Sequence, residues 1–292
     1  MPEFAIQKIS VGDAAYPRAF KVLHDPPKTF YVRGNPALLC RVSVAVVGTR
    51  RASEHALAGA GDFSESFARA GLVVVSGLAF GVDASSHEGA LAAGGLTVAV
   101  LGSGVDEASV YPRANFPLAR RILETGGAVV SENPPGTKPR DWDFPKRNRL
   151  IAALGAATVV VEAPEKSGSI ITAKYALELG RDVYAVPADA LRESAYGSNR
   201  LIADGAIPLL NPGELIENLL GENLKIDAAR IEPHNQNEAL LLNALKNSSG
   251  HADELAELTG LPAASVLSGL TALELRGAVV ALGAMRYGLR RP

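Results

Sequence analysis

Val42-Ser43-Val44-Ala45-Val46-Val47-Gly48-Thr49-Arg50-Arg51-Ala52-Ser53 decides the fold class of this chain. A valine-rich run without polar alternation stops at a glycine. Two cations and a serine follow, and then the helix-length segment Ser53–Ala70. The run has the character of a strand buried on both faces of a parallel sheet. Gly48 lets another backbone approach closely, Thr49 or Ser53 can cap the helix, and Arg50 falls where the crevice of such a sheet opens.

The same grammar recurs along the chain. Further apolar runs lie at Leu72–Val75, Thr97–Leu101, Ala128–Val130, Thr158–Val161 and Val183–Val186. Helix-length segments, among them Asp83–Ala93, Asn115–Thr125 and Ser169–Leu179, separate them. Gly71, Gly94-Gly95, Gly126-Gly127 and Gly180 stand where helix C-caps belong. Alternating strand and helix predicts an α/β fold with an extended Rossmann-like, doubly wound and mostly parallel sheet over residues 41–222. A weaker strand, Ile207–Leu210, and a helix, Pro212–Leu220, close it. Residues 1–40 are punctuated by proline and read as an irregular lead-in with one short strand, Thr29–Val32. Residues 223–236 are polar and read as a linker. Residues 237–292 differ: helices at Glu238–Lys246, Asp253–Leu258 and Ala263–Leu275, a Gly260-Leu261-Pro262 turn, then a hairpin over Val279–Leu289. That order predicts a small C-terminal winged-helix domain.

The 292 residues are 47% hydrophobic and 21% charged with a net charge of −2, an ordinary composition for a globular protein. Any site for a polyanion must therefore be a local patch. The single cysteine, Cys40, excludes an intramolecular disulfide and suits a reducing cytoplasm. No secretory signal is visible, and the longest apolar run, Leu150–Val161, is too short to span a bilayer. The expectation is a cytoplasmic protein without membrane contact.

Ligands of doubly wound sheets bind beyond the carboxyl ends of the strands. After the second strand comes Ser76-Gly77-Leu78-Ala79-Phe80-Gly81-Val82-Asp83, glycine-rich with Asp83 placed as an N-cap. Phe144-Pro145-Lys146-Arg147-Asn148-Arg149 precedes the apolar helix beginning at Leu150. Cations there oppose the helix dipole, a conflict that an incoming phosphate relieves, and Phe144 offers a flat face to a base. Ser167-Gly168-Ser169 reads as another cap, with Lys174 about one turn in. Neither glycine turn is a dinucleotide fingerprint: G-x-G-x-x-G is absent at Gly48, and no ribose-binding acid ends the second strand. No P-loop occurs, and the five histidines form no metal pattern, so no cofactor is implied. His87 stands four residues after Asp83, a spacing more often structural than catalytic. Glu132 and Glu162 could be paired carboxylates at adjacent strand ends, at a separation the sequence leaves open.

Taken in order, Val44-Ala-Val-Val-Gly-Thr-Arg50, Val75-Ser-Gly-Leu-Ala79 with Gly81-Val-Asp83 and His87, and Ser131-Glu132 with Pro134-Pro135-Gly136 form one set. Phe144-Pro-Lys-Arg-Asn-Arg149, Val161-Glu-Ala163 with Ser167-Gly-Ser169, and Gly197-Ser-Asn199 with Leu201-Ile202 complete it. The set resembles the DNA-processing protein A family, also called Smf, from about Tyr16 to the C-terminus. The resemblance implies a non-enzymatic protein of bacterial natural transformation. It would bind and protect incoming single-stranded DNA, help load the RecA recombinase and form a homodimer. Transferred residue by residue, the DNA-contacting positions are Gly48, Arg50, Ser76, Gly77, Phe144, Lys146, Arg147 and Asn148, with Lys174 by position. Three features depart from the family pattern: Phe80 stands where many members carry a basic residue, and Pro187-Ala188 replaces a proline-glycine. The first 40 residues are also too short and proline-rich for the N-terminal sterile-alpha-motif domain of many relatives. Two other readings compete: a nucleotide-cleaving hydrolase using Glu132 or Glu162, and a duplex-DNA regulator using the C-terminal module. Pro262–Leu275 holds no Lys or Arg, which speaks against the latter.

Overall fold

The computed structural model describes residues 4–221, 233, 235–245, 250–275, 279–283 and 285–289. The chain divides into two compact units, residues 1–68 with 72–210, and residues 69–71 with 211–292. The expected linker at 223–236 falls almost wholly outside the described residues, as do Arg290 and Arg291.

The first unit is built on one nine-stranded sheet. Its strands are β1 (Ile6–Ser10), β2 (Thr29–Gly34), β3 (Ser43–Val47), β4 (Val73–Ser76), β5 (Thr97–Leu101), β6 (Ala128–Ser131), β7 (Ala157–Val160), β8 (Asp182–Ala185) and β9 (Ile207–Pro208). The order is β1-β2-β6-β5-β4-β3-β7-β8-β9. From β6 to β9 all pairings are parallel, whereas β1 and β2 add an antiparallel edge. The strand order grows outward from β3 in both directions, so the topological switch point lies between β3 and β7. Residues 1–40 are thus less irregular than the sequence suggests. Their Tyr16, Phe20 and Phe30 rings pack edge-on at 5.2–6.1 Å and join the core.

The helices of this unit are α1 (Arg18–Lys21), α2 (Glu54–Arg69), α3 (Val82–Ala92), α4 (Phe116–Glu124), α5 (Asp143–Leu154), α6 (Gly168–Glu178) and α7 (Tyr196–Ala203). Successive strand residues point to opposite faces, and both faces are covered. Val98 and Val100 of β5 pack in the core that holds Leu150 and Ile151 of α5. Ala99 and Leu101 pack with Leu118 and Ile122 of α4. Two covered faces explain why the strands show no polar alternation.

In the second unit come α8 (Pro212–Gly221), α9 (Gln236–Leu245), β10 (Gly250–His251), α10 (Ala252–Thr259), α11 (Ala263–Leu275), β11 (Val279–Gly283) and β12 (Arg286–Leu289). α8, expected from the sequence to close the large sheet, clusters with this unit. The short strands form a three-stranded sheet ordered β10-β12-β11, and the architecture is a winged helix. His251 and Glu254 box the start of α10: His251 Nδ1 accepts the Asp253 N–H at 3.3 Å, and Glu254 Oε2 accepts the His251 N–H at 2.9 Å. Gly260 ends that helix in the left-handed region at φ 68°. Val266, Leu270 and Leu273 of α11 are buried, and Leu267 is exposed.

Candidate functional site

A cleft of about 500 Å³ opens beyond the carboxyl ends of β3 and β7, at the switch point. Gly48, Thr49, Arg50 and Arg51 form one wall, and Pro164, Lys166, Ser167, Gly168 and Ser169 another. The start of α5 contributes Phe144, Arg147 and Asn148, while Tyr111 and Asp141 complete the rim. Gly48 is required by packing. A Cβ there would come within 2.5 Å of Val82 Cγ2 and 2.9 Å of the Glu162 carbonyl oxygen.

Arg50 is exposed, and its guanidinium carbon lies 5.1 Å from the centroid of the half-buried Phe144 ring. The Tyr111 ring lies 5.9 Å from Phe144, inclined by 42°. α5 begins at Asp143, whose carboxylate sits in the first turn. That charge favours the helix dipole, so the conflict expected from Lys146 and Arg147 is smaller than the sequence alone suggests.

Arg147 is the largest departure from expectation. Its side chain is buried and inward-facing: it donates to the Gly77 carbonyl at 2.7 Å and to the Val100 carbonyl. Burial pulls the guanidinium down to about 10, Asp83 opposes this and Arg50 adds to it, so it remains cationic at neutral pH. Burial likewise raises the Asp83 carboxyl, with Arg147 opposing. Asp83 Oδ2 in turn accepts the N–H groups of Gly77 at 3.1 Å and Ala79 at 3.3 Å. The second glycine turn therefore binds its own aspartate. Ser76 is also turned inward, its hydroxyl donating to the Val46 carbonyl at 2.6 Å. A Cβ on Gly77 would sit 2.5 Å from an Arg147 nitrogen and 2.6 Å from Asp83 Oδ2, so the glycine makes room for both side chains. Asn115 Nδ2 donates to the Leu78 and Ala79 carbonyls at 2.9 and 3.1 Å, which holds Leu78 at φ 59°.

Of the sequence-derived residues, Gly48, Arg50, Phe144, Arg147 and Asn148 line the cleft, and Ser76, Gly77, Lys146 and Lys174 do not. Asn148 donates to the Gly168 carbonyl at 2.9 Å, tying α5 to the start of α6. Lys146 is exposed, 3.5 Å from Glu132. Lys174 is exposed on α6. Lys166, one residue before the predicted Ser167 cap, is the lysine of that segment that lines the cleft. Arg51, Tyr111, Asp141 and Lys166 were not singled out from the sequence.

Glu132 follows β6 and Glu162 follows β7, and β5, β4 and β3 lie between them, so the two acids do not pair at adjacent strand ends. They and the histidine candidate are held by structural partners. Glu132 accepts two hydrogen bonds from Arg149 Nη2 at 2.9 and 2.8 Å. Glu162 is buried, accepting the Ser53 hydroxyl at 2.6 Å and the Ser53 N–H at 3.3 Å, with Arg192 at 3.7 Å. It anchors the turn that carries Arg50. His87 Nδ1 lies 2.6 Å from the Thr97 hydroxyl, and burial followed by Arg147 lowers the imidazole to about 3. It is a neutral core residue. No cluster of metal-ligating side chains and no helix long and apolar enough to cross a membrane occur among the described residues.

Fold and cleft together define a Rossmann-like protein with a cationic, ring-bearing crevice at its switch point, joined to a winged helix. Residues 7–220 match the family described as DNA recombination-mediator protein A, and residues 227–285 match the DprA winged helix domain. The chain belongs to the DNA recombination-mediator protein A family. It is 37% identical over 284 residues to protein Smf of Escherichia coli, covering 94% of this chain and 75% of that one. Against the DNA processing protein DprA of Bacillus subtilis it is 37% identical over 224 residues, covering 76% and 74%. The X-ray structure of DprA from Streptococcus pneumoniae matches with a TM-score of 0.68 at 36% identity, covering 73% of this chain and 74% of that one. DprA from Helicobacter pylori, solved to describe its unique single-stranded DNA binding mode, matches with a TM-score of 0.67 at 31% identity, covering 75% and 97%.

Proposed function

We propose that this chain binds single-stranded DNA in the switch-point cleft, with little sequence preference, and acts there as a recombination mediator without covalent chemistry. The observation that carries the reading is the meeting of Arg50, Arg51 and Lys166 with the Phe144 and Tyr111 rings in one crevice. Cations supply the sequence-independent affinity for phosphates, and rings supply stacking surfaces that accept any base. The strand-binding relative from Helicobacter pylori supports it.

The geometry also suggests how the parts divide. In the free protein the planar Arg50 guanidinium lies over Phe144, where a base would stack. An incoming base takes that place and Arg50 moves to the adjoining phosphate. Lys146 guides the strand at the mouth. Arg147, Asn148, Ser76 and Gly77 act by positioning: they fix the start of α5 against the glycine turn. Lys174 has no part in this reading. The partners engagement of Glu132 and Glu162 disfavours the nucleotide-cleaving alternative.

In the wider setting, the protein protects incoming strands in the cytoplasm during natural transformation and helps load the RecA recombinase, acting as a homodimer. An order-of-addition assay tests this: recombinase filaments should form on strands precoated with single-strand-binding protein only when this chain is added. Filament formation at the same rate without it would refute the mediator role. Incubation with nucleoside monophosphates tests the alternative, since released base would establish hydrolysis.

A further inference from the structure

We propose that Tyr111 is a second stacking surface of the cleft, so that the site holds two successive bases apart on two inclined rings. The inference rests on the strand-binding reading above and adds a residue and a strand geometry to it. Tyr111 is 47% exposed although it lines a cleft. Its hydroxyl has no hydrogen-bond partner among the described residues, so no polar anchor accounts for the ring's position. It lies in the segment between β5 and α4, whereas Phe144 comes from α5. Two separate parts of the chain thus deliver aromatic rings to one rim.

The ring geometry limits what each can hold. A base sandwiched between two rings needs parallel faces about 7 Å apart, twice the usual stacking distance of about 3.5 Å between carbon atoms. Here the centroids are 5.9 Å apart and the planes meet at 42°. A single base cannot enter between them, nor lie parallel to both. Each ring therefore takes its own base on its outer face, and the two bases inherit the inclination and lose their mutual stacking. Arg50, Arg51 and Lys166 on the facing walls then neutralise the phosphates of the bent step.

The test uses the full chain and a short thymidine oligonucleotide with two adjacent 2-aminopurines at its centre. Stacked neighbours give an exciton couplet in circular dichroism, and separated neighbours do not. The couplet should vanish on saturation with the wild-type protein and persist in the complex with Tyr111→Ala. The same variant should bind roughly five- to a hundredfold more weakly, the range for losing one stacked base. Tyr111→Phe should restore both the affinity and the loss of the couplet. A couplet that survives in the wild-type complex overturns the two-ring proposal while leaving strand binding intact. So does a Tyr111→Ala variant that binds within twofold of wild type. Absence of any strand binding instead fails the underlying reading, so the two failures are distinguishable.

Discussion

Replacing Phe144 by alanine removes a ring that, in the account above, exchanges one planar partner for another. Stacking of a base on an aromatic side chain contributes roughly 1–3 kcal/mol. In the free protein the same face carries Arg50 at 5.1 Å, a cation–π contact of about 0.5–1 kcal/mol at an exposed position. That contact is given up on binding, so the net loss for Phe144→Ala should be about 0.5–2 kcal/mol, or roughly two- to thirtyfold in Kd. Fluorescence anisotropy with a labelled thymidine oligonucleotide measures it, alongside circular dichroism melting. The second measurement is needed because Phe144 is half-buried and packs near Gly102, where a Cβ would lie 3.1 Å from its Cδ1. The salt dependence separates stacking from charge. Phe144→Ala should keep the wild-type slope of log affinity against log salt. Arg50→Ala should flatten it by about 0.7, the value for one phosphate contact on a single strand. A folded Phe144→Ala variant that binds like wild type, or that flattens the slope as Arg50→Ala does, would rule out base stacking on Phe144.

Three further outcomes are expected. Arg147→Ala should lower stability by about 3–5 kcal/mol, because the buried Gly77 and Val100 carbonyls lose a charged donor, at roughly 1.5–3 kcal/mol each; chemical denaturation reads this, and a loss below about 1 kcal/mol would mean that Arg147 is not structural. Asp141→Asn should tighten strand binding two- to fivefold, since it removes a negative charge from the cleft rim at an interaction strength of up to about 1 kcal/mol in water; unchanged or weaker binding counts against phosphates passing that rim. Deleting 237–292 should leave most single-strand affinity in place, with the fragment shown to be folded; a loss beyond about tenfold would place part of the DNA site on the winged helix.

How much of this is legible in the sequence depends on the range over which each feature is determined. The parallel strands announce themselves locally, because burial on both faces leaves Val44–Val47 and Thr97–Leu101 without polar alternation. β1 does not: only Ile9 of Ile6–Ser10 is buried, so an edge strand hides in a polar pattern. The direction of β2 against β6 is set by partners about 100 residues apart and leaves no local trace. Arg50 and Phe144 are legible because they adjoin a strand end and a helix start. Arg147 looks like the same kind of residue, yet its partners are carbonyls at Gly77 and Val100, 70 and 47 residues away. Asp83 occupies the N–H groups that a glycine-rich turn, read from sequence alone, offers a ligand. Tyr111 comes from a loop without periodicity, and Lys166 precedes a cap motif whose serines draw the eye first.

On the proposed reading, a local crevice of cations and rings on a nearly neutral protein grips single strands. Affinity for single-stranded and duplex oligonucleotides of equal length, measured across a series of salt concentrations, tests it most directly. Tighter binding of the single strand and a slope of about −2 to −3 are expected, as three to four phosphates are neutralised. Equal affinity for duplex, or affinity that does not respond to salt, would contradict it.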